Sequence, residues 1–211
     1  MATDVEISNM ALAHLGQGNP ITTLADNSPA GRACNMFFST ALNAMMVDCD
    51  WGFGKLWSGE VTPDLTSDTT IKPPTNWAYG YILPAGCLIV RGLVYPGNRQ
   101  PGQDSLPFEV ATHNVGEAGV KRVLFCNLSE AEYMYTERDI DPHLLDPTAV
   151  LALSYLLATY VAMPLKVNEK LAQYASQQYM LHLSKARANN QNEGWEHPHP
   201  TNNNEFLRAR L

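Results

Sequence analysis

The sequence predicts an α+β chain in which N- and C-terminal helices form one bundle, interrupted by an antiparallel β insertion arranged as a sheet or small barrel. Three observations carry this prediction. Apolar residues recur at helical spacing before residue 50 and again after residue 139. Between those stretches aromatics become dense, Gly and Pro punctuate often, and short runs alternate or are rich in branched residues. Hydroxyl or acidic residues also stand just ahead of several helical runs, where the first N–H groups of a helix need acceptors.

Each element follows from its own signals. Thr3 and Glu6 make a capping box ahead of Ile7, Met10, Ala11 and Leu15, and Gly16-Gln17-Gly18-Asn19-Pro20 stops that helix. Residues 21–24 read as a short extended link. Ser28-Pro29 then supplies an N-cap and a first-turn proline. Cys34, Phe37, Phe38, Ala41, Leu42, Met45, Met46 and Cys49 follow as a broad apolar stripe on a second helix. Strands are expected at 76–83, 87–95, 108–112, 120–127 and 133–136, with turns at Gly97-Asn98 and Gly116-Glu117 and an irregular loop at 60–75. Helical signals return at Asp141-Pro142 and Asp146-Pro147. The run after Pro147 is apolar on nearly all sides and therefore central, and a more amphipathic helix follows Pro164. The predicted division is 1–50 and 139–188 for the bundle, 51–138 for the β-rich insertion, and 189–211 for a flexible, Asn-rich C-terminal arm.

Composition narrows the function. The chain has 211 residues, 45% of them hydrophobic, enough to bury a core. Its net charge of −7 and 14 Lys and Arg disfavour a protein that grips nucleic acid through phosphates. The N-terminus lacks a basic region followed by an apolar stretch, so no signal peptide is expected. Polar residues interrupt the apolar run at 149–165, so no membrane span is expected either. Cys34, Cys49, Cys87 and Cys126 show no metal-binding spacing and read as reduced thiols. If Cys34 and Cys49 share one helix, about 22 Å separates them, too far for a disulfide.

Catalytic chemistry has few candidates. Glu130, Glu132, Glu137, Asp139 and Asp141 could supply the paired carboxylates of a polysaccharide hydrolase. The plainer reading is a solvated strand end followed by helix caps. His197 and His199 lack further ligands and a rigid frame, so no metal is expected. No nucleophile elbow or phosphate loop is present, and no cofactor is expected. Trp51, Phe53, Trp57, Trp77, Tyr79 and Tyr81 read as core rather than as a stacking platform for bases or sugars.

The order of motifs resembles that of the short-tailed phage head-to-tail adaptors, the tail tubular protein A family. Ile7-Ser8-Asn9-Met10-Ala11-Leu12-Ala13-His14-Leu15-Gly16 with Ile21-Thr22-Thr23-Leu24 is similar to the family's start. Asp50-Trp51-Gly52-Phe53-Gly54 stands in place of its Trp-x-Phe-Ala, with Gly54 for Ala. Trp77-Ala78-Tyr79-Gly80-Tyr81-Ile82-Leu83-Pro84 fits its Trp-x-Tyr-x-Tyr-x-x-Pro, and Gly86 replaces a frequent Asp. Asp146-Pro147-Thr148-Ala149-Val150-Leu151-Ala152-Leu153 matches its later helix.

The resemblance spans roughly residues 4 to 190 and implies a structural virion protein of the tail and neck, assembled in the host cytoplasm and not an enzyme. Such proteins form a ring of twelve copies between the portal protein ring and the tail nozzle protein, extending the DNA channel without binding DNA specifically. The free chain would be either ring or monomer. The resemblance also implies an arm that docks on the portal, with Phe206, Leu207 and Arg208 as its contact residues. Twelve acidic chains would line a channel that repels DNA phosphates. The rival readings are the tail-associated hydrolase and a head-completion connector of a long-tailed phage.

Overall fold

The computed structural model describes residues 2–58, 76–95, 97, 105–115 and 119–193. The predicted loop at 60–75 and the Gly116-Glu117 turn lie outside these residues. Among the described residues, helices α1 (Asp4–His14) and α2 (Pro29–Asp48) come first, and α3 (Pro147–Ala162) and α4 (Glu169–Glu193) come last. Six strands lie between among the described residues: β1 (Lys55–Trp57), β2 (Tyr79–Ile82), β3 (Cys87–Val94), β4 (Glu109–Asn114), β5 (Val120–Cys126) and β6 (Glu132–Glu137).

The helix starts follow the chemistry of their caps. Thr3 and Glu6 complete the expected capping box. Ser28 Oγ accepts from the Gly31 N–H at the start of α2. Asp146 Oδ1 accepts from Thr148 and Ala149 at the start of α3. The Asp141-Pro142 signal yields only a 3-10 turn at Pro142–Leu144, in which Asp141 accepts from the His143 N–H. Asn9 pairs reciprocally with the backbone of Ile21, at 2.9 and 2.8 Å, and so ties the extended link back onto α1.

As expected from its apolar circumference, α3 is central, and α1, α2 and α4 all pack on it. Ala149, Ala152, Leu153, Leu157, Ala158 and Val161 are fully buried there with Ile7, Met45, Met46 and Trp51. Among the described residues no helix is long and apolar enough to cross a membrane.

The described residues of the insertion form two antiparallel three-stranded sheets, ordered β1-β6-β3 and β2-β5-β4. They share one core, in which Tyr81, Leu124 and Cys126 of the second sheet meet Cys87, Val90, Leu93, Tyr133 and Tyr135 of the first. The central strand β5 buries both faces: Leu124 and Cys126 toward that core, Val123 and Phe125 toward Trp77 and Val115. The β4–β5 hairpin closes through Val115 N–H to Gly119 O at 2.8 Å, with Gly119 at φ +72.

Two differences from expectation have physical causes. Lys55–Trp57 becomes a strand because β6, far along the chain, pairs with it at Lys55↔Thr136 and Trp57↔Met134. Helix α4 continues through Asn189 to Glu193, past the expected start of the arm, because Asn190 is bonded to Asp50 and Gly52. All four cysteines are free, and Cys49 lies just beyond the end of α2. Burial pushes every one of these thiols above its ordinary pKa, which keeps them in the unreactive protonated form.

Close packing at two glycines makes a direct test. A Cβ at Gly31 would collide with the Asp26 carbonyl oxygen and sit 2.8 Å from Asp26 Cβ. A Cβ at Gly54 would collide with Met46 Cε, the far end of a flexible side chain. Gly31→Ala should therefore lower stability by about 2 kcal/mol or more, and Gly54→Ala by about 1 kcal/mol. In denaturant unfolding, Gly54→Ala combined with Met46→Val should lose less than the two single variants together. Strict additivity would show that the contact does not set the cost.

Candidate functional site

The densest polar construction among the described residues is where the chain leaves the bundle for the sheets. Helix α2 ends without a glycine cap or a basic residue in its last turn, and Cys49 is extended at φ −142 and ψ 156. Its final carbonyls need donors from elsewhere. Trp51, fully buried, donates its Nε1–H to Met45 O at 2.8 Å. Arg91 on β3 donates to Met46 O at 2.6 Å, Val47 O at 3.3 Å and Cys49 O at 2.7 Å. Arg187 on α4 donates to Asp48 O. Asn190 Nδ2 donates to Asp50 O at 2.9 Å, and its Oδ1 accepts from Gly52 N–H at 2.7 Å.

Charge reinforces the arrangement. Two guanidinium groups sit at the negative end of the α2 dipole. Arg91 Nε also donates to Thr136 Oγ1 at 2.9 Å, which joins β3 to β6 at the same point. Lys55 Nζ pairs with Asp50 Oδ2 at 2.8 Å. Arg91 Nε lies 3.8 Å from Asp50 Oδ1, an ion-pair distance but too long for a hydrogen bond, and that oxygen has no hydrogen-bond partner. Tyr179 donates its hydroxyl to the Asp48 carboxylate, and burial followed by that bond raises its pKa.

The chain returns to the helices through a second fastening. Asp139 has φ +51, a left-handed backbone uncommon outside glycine. It accepts from Ser39 Oγ and from Asn43 Nδ2 at 2.8 Å, while its N–H donates to Asn43 Oδ1 at 3.0 Å.

These positions decide what the sequence candidates do. Asp139 and Asp141 are occupied as a clamp and a cap. Glu130 and Glu132 lie toward one end of β6 and Glu137 at the other; from Glu132 to Glu137 is about 16 Å, beyond glycosidase carboxylate spacing. Trp51 and Tyr81 are buried, and Trp77 donates its indole N–H to Glu109 at 2.7 Å. Among the described residues no group of His, Cys, Asp or Glu could hold a metal ion. Phe206, Leu207 and Arg208, with His197 and His199, lie outside the described residues.

The departures from the family pattern also have local accounts. Gly54 is packed under Met46, Thr136 and Ile140, where Ala would not fit without displacing Met46. At Gly86 a Cβ would lie 3.7 Å from Glu137 Oε1, so an Asp there would face another carboxylate. No family model matches the chain, and no curated protein matches its sequence.

A feature missed in the sequence links three helices. Tyr155 of α3 is sandwiched between His14 of α1, with ring centroids 3.8 Å apart, and His182 of α4, at 5.2 Å. Ser154 Oγ donates to Leu151 O, so it accepts from His14 Nε2, 3.1 Å away. Burial, then the His182 charge, holds His14 below the usual imidazole pKa; burial, then Lys185, does the same for His182.

Two outcomes are expected. Trp51→Phe keeps the buried ring but leaves Met45 O without its donor, and Arg91→Lys cannot reproduce the fork; each should cost about 2 kcal/mol in denaturant unfolding. A change within experimental error in both would remove the carbonyl capture from the account. The histidine shifts give a pH dependence. Their folded pKa values are lowered, so below about pH 6.5 the unfolded chain binds more protons and is favoured. Stability should be full above that pH and fall as pH drops toward 5, with a shallower slope in His14→Gln; equal slopes would reject the assignment.

Proposed function

We propose that this chain is a head-to-tail adaptor of a short-tailed phage: a non-enzymatic virion protein that forms a ring between portal and tail nozzle and extends the DNA channel. The observation that carries the reading is where the resembling motifs fall. Asn9 and Ile21 of the first motif bond to each other. Trp51 of the second caps the end of α2. Tyr79 and Tyr81 of the third lie on β2, and Asp146 of the fourth caps α3. The motifs thus mark positions that hold this fold together, which is what a shared architecture requires of residues at those spacings.

In this reading function resides in surfaces, with no catalytic group, metal or cofactor. The portal contact is assigned to the arm, with Phe206, Leu207 and Arg208 at its end. A short apolar and basic tip on a polar segment offers both apolar burial and ion pairing to a partner surface. The net charge of −7 per copy suits a channel through which DNA slides without sticking.

Negative-stain microscopy of the chain mixed with portal rings from the same phage tests the proposal. A collar of added density is expected, and no association at low or moderate salt would reject it. A chain ending at Glu193 keeps Asn189 and Asn190 in place, and should melt like the full chain yet fail to dock. Full docking by that truncated chain would overturn the role of the arm.

A further inference from the structure

We infer that the stack of His14, Tyr155 and His182 is an acid-operated latch: protons on both imidazoles push α4 away from α1 and α3 while the rest of the fold holds. The inference goes beyond the adaptor reading and does not depend on it. The tyrosine ring lies between two nearly parallel imidazoles, tilted by 10° against His14 and by 6° against His182. The three rings come from three helices, α1, α3 and α4, and each is half-buried. Ser154 fixes one side of the stack. Its hydroxyl proton goes to Leu151 O, so only its lone pairs are left to face His14 Nε2.

Charge on the stack works against it. A single imidazolium on one face of Tyr155 is tolerated, because the face of the ring attracts a cation. Two on opposite faces repel. They stand closer than about 10 Å, the Debye length at 0.1 M salt, and a ring rather than water lies between them. Lys185, one turn along α4, adds a third positive charge beside His182. The residues one turn from the stack include Met10 and Ala11 on α1, Leu151 and Thr159 on α3 and Gln178 on α4, all uncharged. Among the described residues no carboxylate forms an ion pair with either histidine.

Of the three helices, α4 is the one that gives way. Four described residues of its 25 are buried, Ala175, Tyr179, Leu183 and Ala186, whereas α3 buries ten of its 16. Helix α1 is tied back by the bonds of Asn9 to Ile21. A long helix held by a narrow, alanine-rich stripe has the lowest cost of local opening. Its departure takes Arg187 from Asp48 O, and Asn190 from Asp50 O and the Gly52 N–H. Trp51 and Arg91 stay in place, so the sheets remain fastened to α2. In the open form the imidazoles return to their ordinary range near pH 6.5, so acid favours opening and neutral pH the closed latch.

Amide hydrogen exchange of the full chain at pH 7.5 and pH 5, corrected for the intrinsic effect of pH on exchange, reads the latch. Peptides covering 175–190 should lose protection about tenfold or more at pH 5, and those from α3 and β5 less than about threefold. His182→Gln should remove this difference, and Lys185→Gln, at an exposed position, should reduce it. If His182→Gln melts below the wild type at pH 7.5, Lys185→Gln carries the test alone. By NMR titration of the imidazoles, His14 should take up its proton at higher pH in His182→Gln than in the wild type, the mark of coupling across Tyr155. Equal loss of protection in every element makes acid a global effect and overturns the latch. Unchanged protection of α4 at pH 5 overturns it too, as does a loss that neither variant diminishes. A His14 midpoint that His182→Gln leaves in place overturns the coupling on which the latch depends.

Discussion

Six successive carbonyls, from Met45 to Asp50, govern how this molecule is put together. Met45 O receives Trp51, Met46 O, Val47 O and Cys49 O receive Arg91, Asp48 O receives Arg187, and Asp50 O receives Asn190. A helix end normally meets this need locally, with a left-handed glycine or with water. Here every donor is a side chain, and they come from the following turn, from the sheets and from the last helix. The end of α2 is therefore complete only when β3 and α4 are in place. That makes folding of the helical unit and of the insertion interdependent, even though their apolar cores are separate.

The second chain crossing works in the same sense. Asp139, at the exit from β6, is held by Ser39 and Asn43 on the outer side of α2. Both covalent links between helices and sheets are thus fastened to one helix, and Arg91 with Thr136 adds a link through the strands themselves. Because a buried acceptor left unpaired costs more than a hydrogen bond gains, the buried and half-buried bonds of Trp51 and Arg91 oppose any tilt of the sheets against α2. Two of the acids that resemble catalytic carboxylates in sequence have structural roles instead. Asp139 and Asp141 accept bonds that fix backbone geometry.

What the sequence made legible was local. Thr3, Ser28 and Asp146 announce their helices because a cap acts within three residues of itself, and β3, β4, β5 and β6 each carry enough branched or aromatic residues to signal a strand. What escaped depends on partners far along the chain. Lys55–Trp57 is too short to signal a strand and exists through its pairing with β6. The division into two sheets depends on which strand β5 and β6 each choose, a matter of register that no single strand encodes. Arg91, one charge in an apolar run, gives no hint that it serves the end of another helix. Asn189 and Asn190 read as the beginning of a polar arm because composition cannot reveal the two bonds that keep Asn190 at the junction.

The bonds of Asn190 fix the place from which an adaptor's arm would start. Asn190 is attached to Asp50 and Gly52, and Arg187 one turn earlier is attached to Asp48. The root of the arm is therefore fixed at the same place as the end of α2. A pull on the docked arm would pass through Asn190 and Arg187 into α2 and, through Arg91, into the sheets. An arm rooted on a freely ending α4 would instead load the contacts between α4 and α3 alone. The carbonyl capture at the end of α2 thus gives the proposed attachment its rigid base, and connects the arm to both halves of the subunit.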